Sequence, residues 1–210
     1  VVLAVGVVGT FLGYLLHCFD FPGKTIIEKL LLLPLVLPPI VLGFYLIPVL
    51  GRNGLPQYLG IPNLVFTLLG GGIAVSIVCL PMMIKTAKST FDMMPQEFLE
   101  VSYTLGKGRV YTFFHVTMPL CLPGLLSGLM LSMARALGEF GASLMILGNI
   151  PGQTTTMPLA VWFLFSAGRE EEAFKLVLIL TGLSIALIWL AESISKRGIS
   201  AFGELNRVSG

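Results

Sequence analysis

Five long apolar runs, none with the in-and-out alternation of a strand, decide the class of this chain before anything else does. They cover roughly residues 1–19, 26–50, 64–84, 119–147 and 173–190. A helix needs about 20 apolar residues to cross the hydrocarbon core. In lipid every backbone polar group must be satisfied internally, which leaves helices or closed barrels, and barrel strands alternate. Charged residues make up only 11% of the 210 residues, against roughly 25% in soluble domains, too few to cover a globule in water. The chain therefore reads as an all-α integral membrane protein, one transmembrane domain over residues 1–210 with no separate soluble domain and no internal repeat.

The runs carry their own marks. Gly9 and Gly13 in the first are four apart and suit close helix approach. The first run ends at His17, Asp20 and the turn Phe21-Pro22-Gly23-Lys24. The chain starts at Val1 inside an apolar run without a Met, so a short stretch upstream is expected, and the run lacks the basic start and small-residue cleavage site of a signal peptide. The second run holds Pro34, Pro38 and Pro39, which delete backbone donors and bend a helix. Gly70-Gly71-Gly72 in the third suit packing or flexing, and Lys85 and Lys88 mark its end. Cys18, Cys79 and Cys121 lie in or beside apolar runs without metal-ligand spacing and read as packing residues.

Between the third and fourth runs, residues 86–118 are polar and basic. Pro95, Gln96 and Glu97 suit the first turn of a short helix, Gly106 and Gly108 end it, and Arg109–Val116 can form a second. Orientation follows from Lys and Arg in the loops. Nine (Lys24, Lys29, Lys85, Lys88, Lys107, Arg109, Lys196, Arg197, Arg207) fall on the side of this segment and three (Arg52, Arg169, Lys175) on the other, with Arg135 inside a run. The segment and the C-terminus are thereby expected in the cytoplasm.

Within it stands Glu100-x5-Gly106-x9-Val116-x-Met118-Pro119. This resembles the EAA loop of importer-type ABC permeases, EAA-x3-G-x9-I-x-L-P. Glu100, Gly106, Val116 and Pro119 fit every spacing, while Val101 and Ser102 replace the alanines and Met118 the leucine. Gly106 at the turn suits a positive φ. The resemblance implies that residues 86–118 form a cytoplasmic helical coupling loop that docks on an ATPase subunit.

A second constellation, Ala134 to Ala142 (ARALGEFGA), places two charges in a run, at a cost on the order of 2.5–3.5 kcal/mol each. Arg135 and Glu139 are four apart and can pair, as a structural pair or as a lining of the pathway or gate. Ala134, Gly138 and Ala142 form a small-residue stripe. The following GNIPGQTTTMPLA, Gly148 to Ala160, offers Asn149, Thr154 and Thr156 as neutral donors for an oxyanion, or as a surface turn against a docked protein. These stretches, with FPGK (Phe21–Lys24) and LLLPLVLPP (Leu31–Pro39), resemble the molybdate and sulfate branch of the family, molybdate permeases in particular. Tungstate shares molybdate's charge and nearly its size, and sulfate is the alternative cargo.

The resemblance implies a non-catalytic permease subunit working by alternating access in the inner membrane. It implies a second copy of the chain, two cytoplasmic ATPase subunits that bind ATP and magnesium, and an external oxyanion-binding protein. The chain has no Gly-x4-Gly-Lys-Ser/Thr phosphate loop, so no ATP chemistry is assigned to it. No cofactor, metal or nucleic acid is expected on this chain. His115, beside the coupling loop, reads as a helix-end residue. The rival class is a secondary transporter or channel with Arg135 and Glu139 in an ion path.

Overall fold

The apolar runs all become helices, but two of them become two helices each. The computed structural model describes the backbone of residues 1–208 and the side chains of residues 1–194. The tail residues Lys196, Arg197 and Arg207, counted above in the orientation argument, have side chains outside the described residues.

Helix α1 (Val2–Cys18) ends where Phe19 turns extended. The run 26–50, read as one bent span, is instead α2 (Lys24–Val36) and α3 (Pro39–Leu50), and the stretch Pro39–Leu59 lies at 109° to α2. The cause is local: a residue before proline is pushed out of the α region. Leu37 precedes Pro38 with ψ 139°, Pro38 precedes Pro39 with ψ 131°, and α3 restarts with proline in its first turn. After the short α4 (Leu55–Leu59), α5 (Leu68–Asp92) is capped by Thr67, whose hydroxyl accepts from the Gly70 N–H at 3.1 Å. It continues past Lys85 and Lys88, so residues 86–92 belong to the helix and not to the loop.

Then come α6 (Gln96–Thr104), α7 (Arg109–Thr112), a π-helical turn over Phe113–Thr117 and α8 (Met118–Leu137). The last three run on as one apolar rod, Arg109–Leu137, of 29 residues. The run 119–147, read as one span, also breaks: α8 stops at Leu137 and α9 (Gly141–Leu147) follows. Helices α10 (Met157–Ser166) and α11 (Glu170–Val208) complete the chain. Among the described residues, three helices are long and apolar enough to cross a membrane: α5, the Arg109–Leu137 rod and residues 170–194 of α11; the bent pair of Lys24–Val36 with Pro39–Leu59 makes a fourth if counted as one span. The 17-residue α1 is apolar but shorter.

Helix α5 is the axis. On one side it packs with α1 and α8 around Val5, Met83, Phe91, Cys121 and Leu125; on the other with α3 and α9 around Leu42, Ala74, Val78, Ala142 and Ile146. Gly9 and Gly13 make the α1 contact close, as their spacing predicts: a Cβ on Gly13 would lie 2.7 Å from Ala87 Cβ and 2.9 Å from the Lys88 nitrogen. At that end, charged groups tie three helices together. His17 Nδ1 lies 2.7 Å from Asp92 Oδ1, Lys88 pairs with Asp92 at 3.0 Å and reaches Glu28 at 3.8 Å. Helix α11 packs on α8 and α10 and leaves Leu178, Ile179, Ile185 and Trp189 exposed. In a membrane chain such a face meets lipid or another subunit.

Candidate functional site

The segment between α5 and α8 builds a compact helical hairpin. Pro95 is the N-cap of α6 and Glu97 lies in its first turn, where a carboxylate meets the positive end of the helix dipole. The helix ends in a Schellman motif: the Lys107 N–H donates to the Ser102 carbonyl at 3.1 Å and the Gly106 N–H to that of Tyr103 at 2.9 Å. Gly106 takes φ +73° with nothing within 4 Å of where a Cβ would sit. Backbone conformation alone therefore demands glycine, as the sequence expects. Glu100 is exposed, as are the apolar Val101 and Leu105. This is an outward face with a charge flanked by unburied apolar groups.

Ser102, the departure from the second alanine, points the other way. It is 5% exposed, and its hydroxyl lies 2.8 Å from that of Thr112, which is 1% exposed and donates to the Gly108 carbonyl at 3.1 Å. The sequence reading missed Thr112; the signal available was one hydroxyl on each side of a glycine turn. Val116 is half-buried in the π turn, and Pro119 stands exposed in the first turn of α8. A proline ring crowds the carbonyl four residues back and cannot donate to it. Widening the preceding turn to π relieves both. The His115 Nδ1–H donates to the Tyr111 carbonyl at 3.1 Å and the imidazole stacks on the Tyr111 ring at 4.1 Å, with Lys107 over the same ring.

The second constellation sits at the α8–α9 break. Arg135 Nη1 lies 2.8 Å from Glu139 Oε2; the Glu139 side chain is 1% exposed and that of Arg135 31%. No N–H points along that contact, so Oε2 has no aligned hydrogen-bond donor. The other oxygen, Oε1, accepts the Ala142 N–H at 2.9 Å and caps α9. The pair forms as the four-residue spacing allows, but not along one helix: Arg135 is in the last turn of α8 and Glu139 in the break beyond it. Gly138 also leaves the expected small-residue stripe, since only the Arg135 carbonyl, at 3.9 Å, lies near its would-be Cβ. The close contact falls instead on Gly141, where a Cβ would stand 2.7 Å from the Ile40 nitrogen. The two chain breaks, at Pro38–Pro39 and at Gly138–Phe140, thus pack on each other.

In the following loop the hydroxyls largely serve the loop itself. Thr154, 3% exposed, donates to the Leu147 carbonyl at 2.9 Å and accepts the Ile150 N–H at 3.2 Å. Asn149 Oδ1 accepts from Thr155 at 2.7 Å. Thr156 is the N-cap of α10, and its buried Oγ1 has no hydrogen-bond partner, nor has Ser143 Oγ on α9. Arg169 and Glu172 pair at the start of α11.

The whole chain has known relatives. Residues 7–198 match the family described as "Binding-protein-dependent transport system inner membrane component". The molybdenum transport system permease protein ModB of Haemophilus influenzae is 37% identical over 202 residues, covering 93% of this chain and 88% of that protein. That of Escherichia coli K12 is 36% identical, covering 90% and 84%. The sulfate transport system permease protein CysT of Salmonella typhimurium is 29% identical, covering 91% and 70%. Among solved structures, the MetNI methionine ABC transporter in an inward-facing conformation superposes with TM-score 0.62 over 92% of both chains at 16% identity, a likeness of fold. With a helical hairpin between α5 and α8, a broken-helix core and a family match over nearly its full length, the chain belongs to the binding-protein-dependent transport system inner membrane components, the permease subunits of ABC importers.

Proposed function

We propose that this chain is the permease subunit of an ATP-driven importer of molybdate or tungstate. Two copies enclose one pathway, two ATPase subunits dock on the α6 hairpins, and an external binding protein delivers the oxyanion. The observation that carries this reading is α6 itself: a short helix ended by the Gly106 Schellman motif, with Glu100, Val101 and Leu105 left outward for a partner. The α6 end of the bundle is the cytoplasmic end, in keeping with the basic residues Lys24, Lys85, Lys88 and Lys107 near it. The 37% and 36% identity to molybdenum transport system permease proteins supports this cargo class.

The transport cycle is alternating access. Closure of the ATPase dimer draws the two hairpins together, and the spans turn from inward- to outward-facing. Arg135, with its side chain about a third exposed and its carboxylate partner buried, is the pathway candidate. A charge so held attracts an anion weakly enough to release it. Thr156 and Asn149 are second candidates at the other end of that stretch. Thr154 is not, its hydroxyl being engaged on both sides.

The test is ATP hydrolysis and uptake in liposomes holding permease and ATPase, with binding protein loaded in turn with molybdate, tungstate and sulfate. Uptake of the first two alone supports the cargo class; uptake of sulfate alone would move the cargo to sulfate, the reading favoured by the CysT likeness.

A further inference from the structure

We propose that the Ser102–Thr112 hydroxyl pair is the link through which the docking helix drives the membrane span, so that α6 and the Arg109–Leu137 rod move as one body. This rests on the coupling role given to α6 above. Three observations lead to it.

The first is where α6 is attached. It packs most on α7 and the π turn, and Leu99 on its inner side reaches the core around Phe91 and Met94. Toward the ends of α1 and α5 it faces a crevice of about 370 Å³ lined by Tyr14, His17, Tyr103, Arg109, Thr112 and Thr117 among others. A push on α6 therefore reaches α7 and the π turn directly. The second is the bond itself. With the Thr112 hydroxyl donating to Gly108, the Ser102 hydroxyl donates to Thr112 Oγ1, giving a buried relay from α6 through α7 to the turn between them. Buried hydroxyls with satisfied partners hold geometry because breaking them strands a donor away from water. The third is continuity. The chain from Arg109 to Leu137 is helical throughout, about 43 Å at 1.5 Å per residue. It carries Arg135 in its last turn. The docking face lies at one end of this lever and the Arg135–Glu139 pair at the other.

Ser102 and Thr112 are positioning residues: neither touches cargo. The experiment uses the complete transporter in liposomes and measures oxyanion taken up per ATP hydrolysed, with the melting temperature alongside. Thr112→Val strands the Ser102 donor, and uptake per ATP is expected to fall about fivefold, the equivalent of one buried hydrogen bond. Ser102→Ala, which leaves Thr112 bonded to Gly108, falls less. Thr112→Ser keeps the relay and restores the wild-type ratio. A merely structural pair would lower melting temperature and amount of protein without changing the ratio, and that result overturns the proposal. A second variant does not depend on weakening the fold. Ser102→Cys with Thr112→Cys, on a Cys18→Ser background because Cys18 lies on the same crevice, locks α6 to α7 when oxidised. Uptake that survives oxidation supports one rigid body. Uptake stopped by oxidation and regained with reductant overturns it. If wild-type protein took up oxyanion without ATPase, the coupling reading itself would fall, and this inference with it.

Discussion

Exchanging the two members of the Arg135–Glu139 pair should have unequal effects, because the pair is buried on one side only. Glu139 is 1% exposed at its side chain and Arg135 31%. Arg135→Leu strands a carboxylate in an apolar interior with a single aligned donor, the Ala142 N–H. Removing one partner of a buried pair costs about 3–5 kcal/mol. Glu139→Gln leaves the cap in place through the amide oxygen, and frees an arginine whose side chain is already 31% exposed. That loss is closer to the exposed case, about 1–2 kcal/mol with the lost burial of charge included. For a chain of this size 1 kcal/mol moves the melting temperature by roughly 2–4 °C. Arg135→Leu should therefore melt about 10 °C below wild type and Glu139→Gln about 4 °C below. Cys79 and Cys121, both 1% exposed, allow melting in detergent to be followed with a thiol-reactive dye. The double variant should melt above Arg135→Leu alone, since no carboxylate is stranded. Equal shifts for the two single variants, or a double variant equal to their sum, would refute the one-sided burial argument.

Other expectations follow from single contacts. Gly106→Ala forces a side chain into φ +73° and should weaken the hairpin by about 1–2 kcal/mol, read as reduced co-purification of the ATPase. Leu105→Glu, on the exposed face of the hairpin, should lower ATPase binding while leaving the permease melting temperature within about 2 °C of wild type. Gly13→Leu should separate α1 from α5, where even a Cβ meets Ala87 at 2.7 Å, and should abolish accumulation of folded protein in the membrane. Thr154→Val removes two internal hydrogen bonds and should cost about 1–3 kcal/mol in melting without a selective change in which anion is transported.

The helical hairpin between α5 and α8 was the most legible part of the sequence because its information is local. A glycine that ends a helix (Gly106), acid in the first turn (Glu97) and a proline opening the next span (Pro119) are all read within one short stretch of sequence. Gly9 and Gly13 were legible for the same reason. The two helix breaks were not. Prolines announce a bend at residues 38 and 39 but not its 109°, and nothing in an apolar run announces that Gly138–Phe140 will leave the helix. That break is stabilised by Gly141 packing on Ile40, a contact a hundred residues away in sequence. Thr154 misled for a related reason: threonine in a turn-rich loop reads as a solvent-facing donor, and only the fold shows its hydroxyl turned inward onto Leu147. Ser102 read as an imperfect match to a motif, and its partner Thr112 gives the departure a physical reason.

The most direct test of the account is oxyanion uptake into liposomes under three conditions: permease alone, permease with ATPase and binding protein but no ATP, and the same with ATP. The account predicts accumulation of molybdate or tungstate in the third condition only. Accumulation by the permease alone would contradict it, and would place the ion path around Arg135 and Glu139 in a transporter that needs no docking hairpin.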